Sequence, residues 1–126
     1  MKIDYKDKVS FEKRLSDAED LLRNYPDRVP IIVEKRSSSS INPFHKRSEK
    51  LAEIKNNKFL VPKDLSVGQL FYIIRKNLTL KSDEALYLFI NNKMPVFSAT
   101  LGSIYQEEHD QDKFLYVLYS QEETFG

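Results

Sequence analysis

The side chains best able to do chemistry are few in this sequence, and their spacing argues against catalysis. There is no cysteine, which excludes disulfides, thiolate metal ligands and a thiol nucleophile. The two histidines, His45 and His109, lie far apart and in polar company, as solvated surface residues do. Residues 107–110 read Glu-Glu-His-Asp, the residue types of a metal site. Consecutive side chains at a helix end diverge, however, so a charged, solvated turn is the expected structure. Three glycines scattered along the chain build no phosphate-cradling loop, and nothing places paired carboxylates in an apolar cleft. Neither an enzyme nor a cofactor or metal site is expected. One position stays open: the sequence closes YVLYSQEETFG, and its final glycine is either a frayed end or the reactive part of the molecule.

The elements that would carry such a terminus can be read from pattern. At 126 residues the chain is long enough for one domain with its own core. A net charge of +1 argues against wholesale nucleic-acid binding. The N-terminus is charged from its second residue, and no apolar run approaches the roughly 20 residues of a membrane span. A soluble cytosolic protein is expected, one that works on membranes only when attached to them. Ser10 should cap a helix whose apolar stripe is Phe11, Leu15, Ala18, Leu22 and Tyr25, closed by the turn at 24–27. A shorter charged helix precedes it around residues 4–8.

Residues 28–35, RVPIIVEK, form a strand apolar on both faces, which needs cover on both sides of its sheet. Residues 36–57 read as a long exposed loop with a short helix over 49–55 capped by Ser48. KFLVP at 58–62 is an edge strand, since Pro62 limits it. Ser66 and Gln69 have capping-box spacing, with Leu65 and Leu70 as a hydrophobic staple. Val67, Leu70, Phe71, Ile74 and Leu78 follow as a helical stripe. A strand over 86–90 turns at Asn91-Asn92, Leu101, Ile104 and Tyr105 mark a short helix, and residues 114–119 make a doubly apolar central strand. The fold class expected is α+β, the β-grasp of ubiquitin, with a main helix across a mixed four-stranded sheet and at least one extra N-terminal helix on the other face. The expected divisions are an N-terminal helical extension at 1–26, the β-grasp domain at 27–120 and a flexible tail at 121–126.

Five strings are more specific than these patterns: FEKR at 11–14, NYPDRVPIIVEK at 24–35, KFLVPKDLSVGQLFYIIRKNL at 58–78, IYQEEHDQDKFLYVLYS at 104–120 and the closing ETFG. Over nearly the whole chain except residues 36–57, this resembles the autophagy ubiquitin-like modifiers, the family of microtubule-associated protein light chain three and the GABA-receptor-associated protein. The resemblance implies a ubiquitin-like β-grasp with two N-terminal helices. It also implies a conjugation route through Gly126: adenylation, transfer as a thioester between activating and conjugating enzymes, and amide formation with phosphatidylethanolamine. Glycine suits that route because, lacking Cβ, it enters a narrow channel and leaves its carbonyl open to attack. Phe125 would be the handle the enzymes grip. A processing cysteine protease would expose the glycine or release the conjugate. Because no residue follows Gly126, the chain is expected to be the processed form or a product needing no first cleavage. The protein would be cytoplasmic and monomeric when free, and bound to the autophagosome membrane once lipidated.

The resemblance further implies a groove in which cargo receptors bearing an aromatic-x-x-aliphatic motif add a strand to the sheet edge. Its aromatic pocket would use Asp17, Leu21, Pro30, Ile32, Lys58, Leu60 and Phe114. Its aliphatic pocket would use Phe59, Val61, Pro62, Leu65, Leu70 and Ile73, with Arg28 and Lys58 meeting acidic flanks. Leu60→Asp or Ile32→Asp would weaken such binding at least tenfold (about 1.4 kcal/mol) with the domain still folded. YLFI at 87–90 matches a strand that some members use for helical ubiquitin-interacting-type motifs, or is simply a β-grasp strand. Two departures stand out: the loop at 36–57 is longer than usual, and Lys113 replaces a frequent glycine in a turn. Two other functions stay open, a groove-bearing adaptor that is never conjugated and a basic-loop binder of tubulin, RNA or anionic membrane.

Overall fold

The computed structural model describes residues 2–36, 54 and 57–122. The expected helix over 49–55 (apart from Ile54), His45, Phe125 and Gly126 lie outside the described residues. In chain order the elements are α1 (Asp4–Lys8), α2 (Phe11–Asn24), β1 (Arg28–Lys35), β2 (Lys58–Pro62), α3 (Val67–Leu78), β3 (Tyr87–Phe89), α4 (Leu101–Glu108) and β4 (Leu115–Ser120). The strands form one sheet in the order β2-β1-β4-β3. β1 runs antiparallel to β2 and parallel to β4, and β3 runs antiparallel to β4, so the sheet is mixed.

The two central strands are apolar on both faces because each face has its own cover. Val29, Ile31 and Val33 of β1 join Leu115, Val117 and Tyr119 of β4 in the main core with Val67, Leu70, Ile74 and Leu78 of α3. On the opposite face Ile32, Phe114 and Tyr116 form a second core with Ala18 of α2. α3 starts where its capping box predicts: Ser66 Oγ accepts the Gln69 amide at 3.1 Å, and Gln69 Oε1 accepts the Ser66 amide at 2.9 Å. Asn91 and Asn92 adopt φ of 50° and 66°, the left-handed pair a tight hairpin demands, and Ile90 and Lys93 exchange both backbone hydrogen bonds across it.

The stripe expected for α2 does not match the face it buries. Ser10 caps the helix as expected, accepting the Lys13 amide. Phe11 and Tyr25, however, are 38% and 49% exposed, and the buried side chains are Arg14 and Ala18, with Leu21 partly buried beside the second core. The helix is turned so that the line 14, 18, 21 faces the sheet. Arg14 can be buried because Asp112 meets its Nε at 2.8 Å and the carbonyls of Lys6 and Val9 accept from its Nη1.

Candidate functional site at the sheet edge

β2 forms one margin of the sheet: β1 pairs with its inner side, and no described strand pairs with its outer side. Alternation along the ladder sorts the groove residues named above into two faces. Pro30 opposite Leu60 and Ile32 opposite Lys58 lie on the α2 face, whereas Ile31 opposite Phe59 and Val29 opposite Val61 lie on the α3 face. Arg28 pairs with Pro62 at the end of the ladder, where both are exposed.

On the α2 face the structure brings together the whole expected set. Ile32 and Phe114 are both 0% exposed and make a floor, with Leu21 packed against it. Leu60 is partly exposed beside buried Pro30. The Lys58 ammonium lies 5.8 Å from the Phe114 ring centroid and 3.8 Å from the Asp17 carboxylate, which also holds Lys13 at 3.0 Å. Tyr5, which sequence reasoning missed, completes the face: its ring meets Phe114 edge-on at 5.9 Å, and Lys58 lies 5.7 Å from it. The only sequence signal for Tyr5 is an aromatic residue inside the otherwise charged DYKDK.

On the α3 face Val61 and Leu70 are core residues, Phe59 and Leu65 pack against them partly exposed, and Ile73 is 36% exposed. Position 62 falls by alternation on the other face from 59 and 61. Pro62 is exposed, and its carbonyl accepts the Leu65 amide at 3.1 Å, so it stands where the two faces meet. Because Ile32 is wholly inside the second core, the expectation that Ile32→Asp spares the fold is corrected: it would bury a carboxylate among apolar side chains, and its cross-strand neighbour Lys58 is already engaged by Asp17.

A buried polar network sets the position of Phe114. Asp112, 0% exposed, accepts the Phe114 amide at 2.9 Å, Arg14 Nε at 2.8 Å and the Tyr116 hydroxyl. Burial, reinforced by the hydrogen bond to Asp112, pushes the Tyr116 phenol far above its ordinary range. Burial opposes the Arg14 charge, and the Asp112 hydrogen bond with nearby anionic groups outweighs it, leaving that pKa raised. Lys113, between these residues, has φ of 70°, so the turn does require the left-handed conformation. The turn is held by Tyr105, whose hydroxyl donates to the Lys113 carbonyl at 2.6 Å, and by Lys113 Nζ on Glu19 at 2.9 Å. Burial raises the Tyr105 pKa to about 12.

The remaining candidates separate. Glu108 binds Asn91 and Lys93, Asp110 binds Lys6, and His109 stacks on Tyr105, so the acidic run diverges to different partners. Among the described residues no group of three His, Asp or Glu side chains could hold a metal ion. Leu88, Phe89 and Ile90 are buried, which leaves Tyr87 as the partly open residue of YLFI.

Residues 13–126 match the family model described as autophagy protein Atg8 ubiquitin like. The chain belongs to the Atg8 family. It is similar to the crystal structure of Trypanosoma brucei ATG8, with 39% identity, a TM-score of 0.84 and coverage of 100% of both chains. Membership makes this a ubiquitin-like protein of the autophagy family, and the match agrees with the mixed sheet and N-terminal helices described above.

Proposed function

We propose that this Atg8-family protein is joined through the Gly126 carboxyl to the amine of phosphatidylethanolamine and recruits cargo receptors and adaptors at the β2 edge. The observation that supports recruitment best is the β2 margin itself. Its outer side has no strand partner among the described residues, and apolar side chains flank it on both faces, Leu21 and Leu60 on one and Phe59, Leu65 and Ile73 on the other. A peptide added as a further strand would gain backbone hydrogen bonds and place two anchors on the two sides. Its aromatic anchor would move the Lys58 ammonium aside to reach Phe114 and Tyr5. Arg28, Lys58 and Lys63 along this margin favour acidic flanking residues.

Conjugation proceeds through ordinary acyl chemistry. The Gly126 carboxylate attacks the α-phosphate of ATP and displaces pyrophosphate, an enzyme thiolate displaces AMP, and the lipid amine displaces the thiolate to form the amide. Two acyl chains then anchor the domain stably, each methylene contributing about 0.8 kcal/mol, whereas one chain binds only marginally. Among the described residues no helix is long and apolar enough to cross a membrane, so on this reading the membrane-bound form owes its anchor to the lipid. The intact mass of the protein from membranes of starved cells tests the proposal. A phosphatidylethanolamine adduct on Gly126 is expected, and it should vanish in Gly126→Ala. Unmodified protein alone, where a control family member is lipidated, would favour an unconjugated adaptor.

A further inference from the structure

α3 buries one side and leaves the opposite side apolar as well. Val67, Leu70, Ile74 and Leu78 face the main core, so Tyr72 and Lys76, one turn apart, point away from it. Among the described residues seven large apolar side chains are exposed. Five of them, Tyr72, Ile73, Met94, Val96 and Phe97, lie on this helix or on the segment after the Asn91-Asn92 hairpin. That segment is fastened to the helix. The Gly68 amide donates to the Phe97 carbonyl at 3.0 Å, and the Phe71 ring lies 4.8 Å from that of Phe97 and 5.6 Å from that of Tyr72. Tyr72 is 69% exposed and Phe97 48%, and apolar surface gathered in this way marks an interaction site.

Charge decides the occupant. Residues 65–82 and 85–106 contain no carboxylate, whereas Arg75, Lys76 and Lys81 follow the aromatic residues of α3 and Lys93 precedes Phe97. Arg75 donates to the carbonyls of Glu84 and Lys81, and neither Arg75 nor Lys76 has an ion pair among the described residues. Glu107 and Glu108 lie on the α4 side of Met94 and Val96, and Lys93 pairs with Glu108. Aromatic rings interleaved with cations and free of acids are the composition of a surface that lies at a membrane interface. The tail also starts beside this helix: Arg75 Nη1 holds the Glu84 carbonyl at 2.8 Å, and the Glu84 carboxylate accepts Gln121 Nε2 at 3.4 Å. Residues 121–126 reach at most about 20 Å, so a chain held by Gly126 keeps the outer side of α3 close to the bilayer. We infer that this outer side, with Phe97, rests on an anionic bilayer surface, the rings of Tyr72 and Phe97 at headgroup depth and Lys76 among the phosphates. For its tether the inference rests on the conjugation proposed above.

The test supplies the tether chemically, so its outcome is separate from that of the Gly126 mass measurement. The chain has no cysteine, and Gly126→Cys gives a single thiol that adds to a maleimide-headgroup lipid. The full ¹⁵N-labelled chain is coupled in this way to phosphatidylcholine nanodiscs, with or without phosphatidylserine, that carry a spin label at headgroup depth. With phosphatidylserine, the amide signals of Phe71, Tyr72, Lys76 and Phe97 should be attenuated at least twofold more than those of residues 58–62. Without it that contrast should fall at least twofold. Tyr72→Ser with Lys76→Gln, two exposed changes, should abolish the contrast in a chain that melts normally, and the lipid comparison stands on the unaltered face whatever that variant does. Even attenuation over the whole surface, greatest attenuation elsewhere, or the same pattern with and without phosphatidylserine would overturn the inference. An unchanged pattern in the folded double variant would overturn it too.

Discussion

Leu60→Asp is the perturbation that isolates the β2 groove from the fold beneath it. Leu60 lies on an edge strand, is partly exposed and faces Pro30 across the ladder, so its replacement leaves both cores complete. An exposed strand substitution of this kind should cost the folded state only about 0.5–1 kcal/mol. Binding should suffer more. Full burial of an apolar side chain contributes roughly 1.5–3 kcal/mol, and Leu60 supplies one wall of the aromatic anchor's surroundings, so a loss of at least about 1.4 kcal/mol, tenfold in Kd, is expected. The new carboxylate would share a face of β2 with Lys58, two residues away, and would compete for it with Asp17, whose charge is shared by Lys13 and Lys58. The assay is fluorescence anisotropy with an aromatic-x-x-aliphatic peptide and a control peptide whose two anchors are alanine, accompanied by a thermal melt. An unchanged Kd in a variant that melts normally would refute the placement of the groove.

Three further outcomes follow from the turn and network behind Phe114. Lys113→Gly removes a left-handed non-glycine residue and an exposed ion pair with Glu19; relief of about 1–2 kcal/mol against a loss below about 1 predicts a higher urea midpoint at unchanged m. Asp112→Ala leaves buried Arg14 without its carboxylate and should cost about 3–5 kcal/mol, with Arg14→Met in the same chain recovering much of it in urea titrations. Burial works to raise the Asp110 pKa, but the Lys6 hydrogen bond and the Asp112 amide outweigh it, so the folded value lies below 3.8. A depressed carboxylate contributes stability above its unfolded pKa and loses it as pH falls through the folded one. The melting-temperature gap between wild type and Asp110→Asn should therefore be open at pH ~6 and close below pH ~4.

The parts of this fold legible in sequence are those whose signals are local. Ser66 and Gln69 announce the start of α3 because both ends of the capping box lie within one turn, and Asn91-Asn92 announces a hairpin because few other residues tolerate two left-handed positions. β1 betrays its central place by being apolar on both faces, and Pro62 betrays an edge. The face of α2 was not legible. A stripe drawn through apolar residues treats Arg14 as solvent-facing, yet its partner Asp112 lies 98 residues away, and only the tertiary fold brings the two together. That rotation also explains Leu21, which falls off the apolar stripe but on the line of Arg14 and Ala18. Tyr5 was missed for the same reason: α1 is five residues long and has no side-chain cap. Instead the Glu34 carboxylate receives the amides of Asp4 and Tyr5 from a distant strand.

The groove proposed at β2 shares residues with the core, and this constrains how recognition there could change. Ile32, Phe114, Val61 and Leu70 are floor, at 0%, 0%, 6% and 1% exposure, and altering them acts first on stability. On the proposed reading, selectivity would therefore reside in residues that reach the surface: Lys58 with its Asp17 partner, Leu60, Leu21 and Tyr5 on one face, and Phe59, Leu65 and Ile73 on the other. Of these, Tyr5 depends on α1, which is attached through Glu34 and through Lys6 on Asp110. Burial raises the Glu34 pKa even though two amides favour its charged form, so the ionised contact is made at a desolvation cost. Weakening α1 would withdraw Tyr5 while leaving the floor in place. The aromatic side of the groove would widen, and the aliphatic side, which rests on α3 and the main core, would keep its shape.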